Sequence, residues 1–167
     1  TLFRSMSDLE ALSGEDFARI YAVNVVGPYQ MARAVAPYMA ERGGAIVNVS
    51  SIAGANGTGS SYAYAASKGA LNTLTLALAR NLAPRIRVNA VLPGLIESRW
   101  VRQGIGDGAY ERVRDNFAKD AALGVVATPD QVAAAIGWLA MGADIVTGQL
   151  LVLDAGLSLG RPPKVEE

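Results

Sequence analysis

Apolar residues change their spacing several times along the chain, and each change marks an element. Behind a cap signature at Ser13 and Asp16, the positions Phe17, Ile20, Met31, Val35 and Met39 fall at helical intervals until Gly43 and Gly44 close the run. This predicts a long helix from about Glu15 to Glu41. Upstream, residues 1–12 are short and mixed, with Ser7 and Glu10 at capping-box spacing, enough for a turn or two. Ala45 to Val49 is near-continuously apolar, as in a parallel strand covered on both faces. Helical spacing returns from Tyr62 to Leu82, with Leu71, Leu74, Leu78 and Leu82 on one stripe and Ala66, Ala70, Thr73 and Ala77 on another. The leucines should pack on a sheet and the small residues should admit a second helix.

Pro84 ends that helix, and Arg85 to Gly94 reads as the next strand running into a turn. From Glu97 to Gly124 the pattern is irregular, apart from Tyr110, Val113, Phe117 and Ala121 at helical spacing behind a Gly-rich stretch. Thr128, Pro129 and Gln131 supply an N-cap, an N1 proline and a capping-box partner for a helix to about Met141. Leu150 to Gly156 then forms a last buried strand, and the charged tail Arg161–Glu167, with two prolines, is expected to be disordered. Strands alternating with helices predict an α/β chain of about three parallel strands with flanking helices.

Inside the first long helix lies Asn24-Val-Val-Gly-Pro-Tyr29. Pro28 has no N–H, so it cannot bond the Asn24 carbonyl, and a kink with a free acceptor is expected there.

Composition narrows the chemistry. The 167 residues, 51% hydrophobic, suffice for one domain with a core, and 15 basic against 15 acidic side chains give no pull toward nucleic acid or an anionic membrane. Without cysteine there is no thiolate chemistry, and without histidine neither a Ser-His-Asp triad nor a His-ligated metal. No leader-like segment and no apolar run near 18 residues stands out, so a cytoplasmic location is the expectation.

The chemistry-bearing stretch is Ser50 to Lys68. Ser51 follows an apolar strand, a Gly-rich loop comes next, and Tyr64 and Lys68 stand four apart on one helical face. A nearby ammonium favours phenolate, so Lys68 is expected to lower the Tyr64 pKa and make it a usable acid or base. Tyr62 lacks a lysine at the same interval, since Ala66 stands there, and it reads as a loop or pocket-wall aromatic.

The whole string, with Ser51 thirteen residues before Tyr64, resembles the catalytic segment of the short-chain dehydrogenase/reductase family. The resemblance implies that Ser51 orients the substrate oxygen and Tyr64 transfers the proton. It implies that Lys68 depresses the tyrosine pKa and holds the nicotinamide ribose, and that the Asn24 carbonyl holds a relay water. It further implies NAD or NADP as cofactor, contacted by Tyr64, Lys68 and the Pro93-Gly94 segment, with Ile96 at the carboxamide and Ser98 at a phosphate. The irregular stretch after Gly94 would be a substrate lid, in which Trp100, Tyr110 and Phe117 either line a pocket or glue the lid down. Arg99 and Arg102 are read as solvated. Ala155 replaces a glycine of the family's final-strand motif, which tightens the backbone.

No Gly-rich dinucleotide fingerprint opens the chain, which begins at Thr1. The resemblance therefore implies the C-terminal, catalytic portion of a doubly wound Rossmann-like fold, a single partial domain. The strand at Ala45–Val49 would then expose an apolar edge and promote self-association. A small-molecule alcohol or carbonyl is the implied substrate, with a homodimer or homotetramer assembled through the two long helices. The alternative is a non-catalytic oligomerisation module or an inactive truncated product.

Overall fold

A computed structural model describes residues 12–160 apart from the Trp100 side chain; the predicted turn near Ser7 and the tail from Arg161 lie outside them. Three parallel strands, β1 (Gly44–Val49), β2 (Ile86–Pro93) and β3 (Leu150–Leu153), lie in the order β1-β2-β3. The helices are α1 (Gly14–Tyr21), α2 (Gly27–Met39), α3 (Ala53–Asn56), α4 (Tyr62–Leu82), α5 (Arg99–Ile105), α6 (Asp107–Asp120) and α7 (Pro129–Met141). This is the partial Rossmann-like α/β arrangement that the alternation of elements predicts.

The central strand shows why its sequence reads as it does. Ile86, Val88, Ala90 and Leu92 point to one face and are all buried, whereas Val91 packs on the other with Val132, Leu139 and Ala143. Each fully buried valine or leucine contributes about 1.5–3 kcal/mol. The polar residues between them are satisfied. Arg87 donates to the carbonyls of Leu139 (2.7 Å) and Ala140 (3.0 Å), placing a cation at the C-terminal end of α7, where the helix dipole favours it. The Asn89 side chain donates to the Val146 carbonyl and accepts from the Gln149 N–H, fixing the loop that feeds β3.

The first long helix is more subtle than a kink. Its backbone stays helical through α1 and α2, but Ala22–Val26 between them is a π-helical turn in which the Gly27 N–H reaches the Ala22 carbonyl. Pro28 in the first turn of α2 cannot supply the bond owed to Asn24, and the widened turn immediately precedes it. The helix ends at Gly43, whose φ of +74° and N–H to the Met39 carbonyl (2.8 Å) make the expected glycine stop.

Two expectations need correction. The α4 leucine stripe is not the fully buried face: Ser67, Leu71, Asn72, Thr75 and Ala79 are buried, and Leu74, Leu78 and Leu82 flank them half-buried. Thr75 takes a leucine's place because Asn48 of β1 donates to its hydroxyl at 2.9 Å, a buried polar tie between helix and strand. The stretch 97–124 is also largely helical. Ser98 caps α5, and α6 follows after Gly106 at φ +82°. Its polar composition hid the two helices, because ion pairs hold them: Arg102 meets Asp107 and Glu111, and Arg114 meets Glu111 and Asp115.

Ala155 stands in the left-handed region at φ +55°, where the family pattern has glycine. Asp154 accepts the N–H groups of Gly156 and Ser158 and so holds the turn; burial alone would raise its pKa, but these bonds keep it below the ordinary value. Ala155→Gly should therefore stabilise the chain by about 0.5–1 kcal/mol, the relieved steric cost exceeding the entropy a glycine adds to the unfolded state. Denaturant midpoints check this; an unchanged or lower midpoint would mean that the turn carries no such cost.

At the β1 edge, no strand pairs among the described residues, and an open groove of about 670 Å³ runs between β1 and α2, lined by Met31, Val35, Met39 and Ile46 among others. Val49, the last residue of β1, is 47% exposed.

Candidate active site

The carboxyl ends of β1 and β2 form one rim, the side of an open parallel sheet where ligands bind. The chain leaving β1 is stitched to that rim by the Ser50 N–H to the Val91 carbonyl (2.8 Å) and the Ile52 N–H to the Pro93 carbonyl (3.1 Å). Ser51 lies between these bonds, its Oγ accepting the Ala53 N–H at 3.1 Å at the start of α3. What the sequence presents as a Gly-rich loop thus includes a short helical turn closed by Gly57 at φ +74°.

α4 starts at Ser61, whose Oγ accepts the Tyr64 N–H at 3.1 Å. That cap sets the first turn, and with it Tyr64 and Lys68. The Ser50 hydroxyl donates to the Lys68 carbonyl at 3.1 Å, and Lys68 Nζ donates to the Val49 carbonyl at 2.9 Å. The end of β1 is therefore tied to α4 by both backbone and side chain of one residue.

Gly54 and Gly69 let these segments approach. A Cβ on Gly54 would lie 2.6 Å from the Gly69 nitrogen and 2.7 Å from the Lys68 carbonyl oxygen, both backbone. Gly54→Ala should consequently push α3 off α4 and cost about 1–3 kcal/mol, by the general penalty of overpacking. Thermal unfolding measures it, with Gly57→Ala as a strain-only comparison, since no atom lies near a Cβ there. A Gly54→Ala chain as stable as the parent would show that the close approach is dispensable.

Burial pushes the Tyr64 pKa up, and the influence of the Ser51 hydroxyl, which favours the phenolate, offsets only part of that rise. The expectation that Lys68 would lower it is therefore not what the structure shows. The Lys68 ammonium lies 5.6 Å from the Tyr64 ring centre and is spent on the Val49 carbonyl, while burial pushes its own pKa down. At neutral pH the site holds a protonated phenol beside an ammonium, which suits it to give a proton rather than take one.

Asn24 in the π turn reaches the same helix: its Nδ2 donates to Ser67 Oγ at 3.0 Å. Asn24 is thus joined to the Tyr64–Lys68 turn of α4 through Ser67, a residue the sequence reading passed over. The signal was available in the small polar residue immediately before Lys68.

Pro93 ends β2, and the Gly94 N–H donates to the Leu153 carbonyl at 3.0 Å. A Cβ on Gly94 would meet the Phe117 ring at 2.6 Å, so Phe117 presses α6 onto this turn and belongs to the cluster of Ile52, Ala90 and Leu92. Tyr62, the first residue of α4, is 37% exposed. Tyr110 is 2% exposed beneath the Arg102 guanidinium, 4.5 Å away, so Arg102 is not merely solvated but fastens α5 to α6. Ile96 bridges to Ala127, and Ser98 Oγ accepts the Val101 N–H at 3.5 Å, leaving its O–H to donate. The phenol and ammonium beside this turn are donors of the kind a nicotinamide ribose needs, so the residues fit such a cofactor. Among the described residues no cluster of metal-binding side chains occurs, and no helix is long and apolar enough to cross a membrane.

Residues 3–158 match a family model described as enoyl-(acyl carrier protein) reductase. The chain is 42% identical over 134 residues to the short-chain dehydrogenase/reductase homolog YusR of Bacillus subtilis, covering 80% of this chain and 98% of that protein. It is 38% identical over 152 residues to the 3-oxoacyl-[acyl-carrier-protein] reductase FabG of Thermotoga maritima, covering 89% of this chain and 60% of the relative. The 3-oxoacyl-[acyl-carrier protein] reductase with bound NAD from Brucella melitensis superposes with a TM-score of 0.78 at 32% identity, over 89% of this chain and 54% of that one. The chain belongs to the short-chain dehydrogenase/reductase family. It spans about three fifths of the length of several curated relatives, FabG of Thermotoga maritima among them, and nearly all of YusR.

Proposed function

We propose that the chain carries the catalytic portion of an oxidoreductase that uses NAD or NADP to interconvert an alcohol and a carbonyl, working at neutral pH as a carbonyl reductase. The observation that carries this reading is the start of α4, where Lys68 Nζ lies 5.6 Å from the Tyr64 ring centre and donates to the Val49 carbonyl, with burial keeping the Tyr64 phenol protonated. Reduced nicotinamide, when bound, supplies a hydride to the carbonyl carbon. Tyr64 gives its proton to the carbonyl oxygen, which the Ser51 hydroxyl orients by a second hydrogen bond. The Lys68 ammonium steadies the resulting tyrosinate and, with Tyr64, holds the ribose. Pro93 and Gly94 would present backbone to the nicotinamide, Ile96 would meet its carboxamide, and the Ser98 hydroxyl would serve a phosphate. Asn24 completes the proton relay.

The Thermotoga and Brucella relatives are 3-oxoacyl reductases, so a 3-oxoacyl thioester is the first substrate to try. The test is to supply the full translation product of the gene with NADH or NADPH and acetoacetyl-CoA, simple ketones and aldoses, and to follow the loss of reduced-nicotinamide absorbance. Turnover of at least one carbonyl compound is expected; none at all, with the protein folded, would contradict the reading. The exposed Ala66, Thr73 and Ala77 of α4 and the exposed Val26 and Met31 nearby in sequence to the π turn support assembly as a homodimer or homotetramer, which sedimentation measures.

A further inference from the structure

Ser67 has no access to solvent, and its side chain makes two hydrogen bonds of good geometry, neither of them to the Tyr64 phenol or the Lys68 ammonium. Its hydroxyl donates to the Tyr64 carbonyl at 2.8 Å and accepts from Asn24 Nδ2 at 3.0 Å. The first bond lies within the turn of α4 that carries Tyr64 and Lys68. The second crosses to the π turn, a segment 43 residues earlier in the chain.

A π turn has one residue more than the α-helix around it and persists where something outside the helix rewards it. Here Pro28 removes the N–H that an α-helix would offer the Asn24 carbonyl, and the turn widens immediately before it. The Asn24 side chain must then be anchored elsewhere if the turn is to keep one place. Serine suits the anchor because a single small hydroxyl can accept from the asparagine amide while its own proton goes back to the carbonyl three residues before it.

We propose that Ser67 is a positioning residue for the reaction: it locks the π turn onto the Tyr64–Lys68 turn through Asn24, so that the Asn24 carbonyl keeps a fixed place relative to Lys68 and the proton relay stays connected. This rests on the reductase reading above. It predicts a role that runs wholly through Asn24, so the two residues should act as one unit.

The test has two parts. In the chain itself, amide hydrogen exchange is compared for the parent, Ser67→Ala, Asn24→Ala, the double variant and Ser67→Thr, which keeps the hydroxyl. Exchange across Val23–Gly27 should quicken about tenfold in Ser67→Ala and equally in Asn24→Ala, no further in the double variant, while α7 stays as protected as in the parent. In the full translation product, with the carbonyl compound it reduces fastest, Ser67→Ala should lower kcat about tenfold with cofactor KM within twofold, Asn24→Ala should match it, and Ser67→Thr should recover most of the loss. Additive losses, or a faster π turn with unchanged kcat, would overturn the proposal. So would unchanged exchange at Val23–Gly27, and Asn24→Ala keeps the proposal decidable should Ser67→Ala fail to fold. A Tyr64→Phe control separates the two failures: if it remains active the reductase reading falls, whereas an inactive Tyr64→Phe beside a silent Ser67→Ala removes only the role of Ser67.

Discussion

Tyr64→Phe should lower carbonyl reduction by about 10³-fold while leaving the fold intact, within the range that a positioned proton donor contributes. The variant loses one oxygen. The ring stays, and so does the N-cap bond from the Tyr64 N–H to Ser61, which is made by backbone. Circular dichroism and the unfolding midpoint should therefore match the parent, and cofactor affinity should weaken only by the lost ribose contact. Tyr62→Phe, at the exposed start of the same helix, should change turnover by less than about twofold, since surface changes away from the chemistry have small effects. If Tyr62→Phe were the damaging change, the motif would have been placed on the wrong tyrosine.

The second large effect is expected at Lys68. Replacement by methionine removes the ammonium at similar length, and with it the bond to the Val49 carbonyl and the ribose donor. Reduction should fall about 10²-fold, chiefly through a higher cofactor KM. The pH profile adds a sharper check. Burial lowers the Lys68 pKa and raises that of Tyr64, so as pH rises the ammonium loses its proton early, and it is the Lys68 charge whose loss should set the alkaline decline of the parent. Lys68→Arg keeps a charge that does not titrate in this range and should move the decline upward. Profiles of reduction measured with cofactor well below its KM decide this; a Lys68→Arg profile with the parent's alkaline limb would assign the limb elsewhere.

How much of this was legible beforehand varies by element. α7 was readable from its Thr128–Gln131 box, which is local sequence, and α4 from its helical stripes and the stop at Pro84. β1 and β2 were readable to within a residue because both are short, nearly continuous apolar runs, although only β2 is buried along its length. The π turn was legible only as a break at Pro28, because the bond from Asn24 to Ser67 spans 43 residues of sequence. α6 left a helical period at Tyr110, Val113, Phe117 and Ala121, whereas α5 was missed because its cohesion is carried by ion pairs and an arginine over Tyr110.

The site was legible as a list of residues but not as an electrostatic balance. Spacing places Tyr64 and Lys68 on one face and suggests that the cation governs the phenol. Burial, which no spacing reveals, reverses the sign, and the Val49 carbonyl draws the ammonium to itself. The same burial favours the reductive direction, in which a protonated phenol is the reagent required.

Titration of Tyr64 itself tests that claim most directly. With tyrosine labelled at the phenol carbon and Tyr64→Phe used to assign its signal, the chain without cofactor should show Tyr64 losing its proton above the ordinary phenol value of 10.0, and Ser51→Ala, which removes the hydroxyl that favours phenolate, should move it higher still. A Tyr64 that titrates at or below neutral pH would contradict the account, because a phenolate already present there cannot be the proton donor for carbonyl reduction.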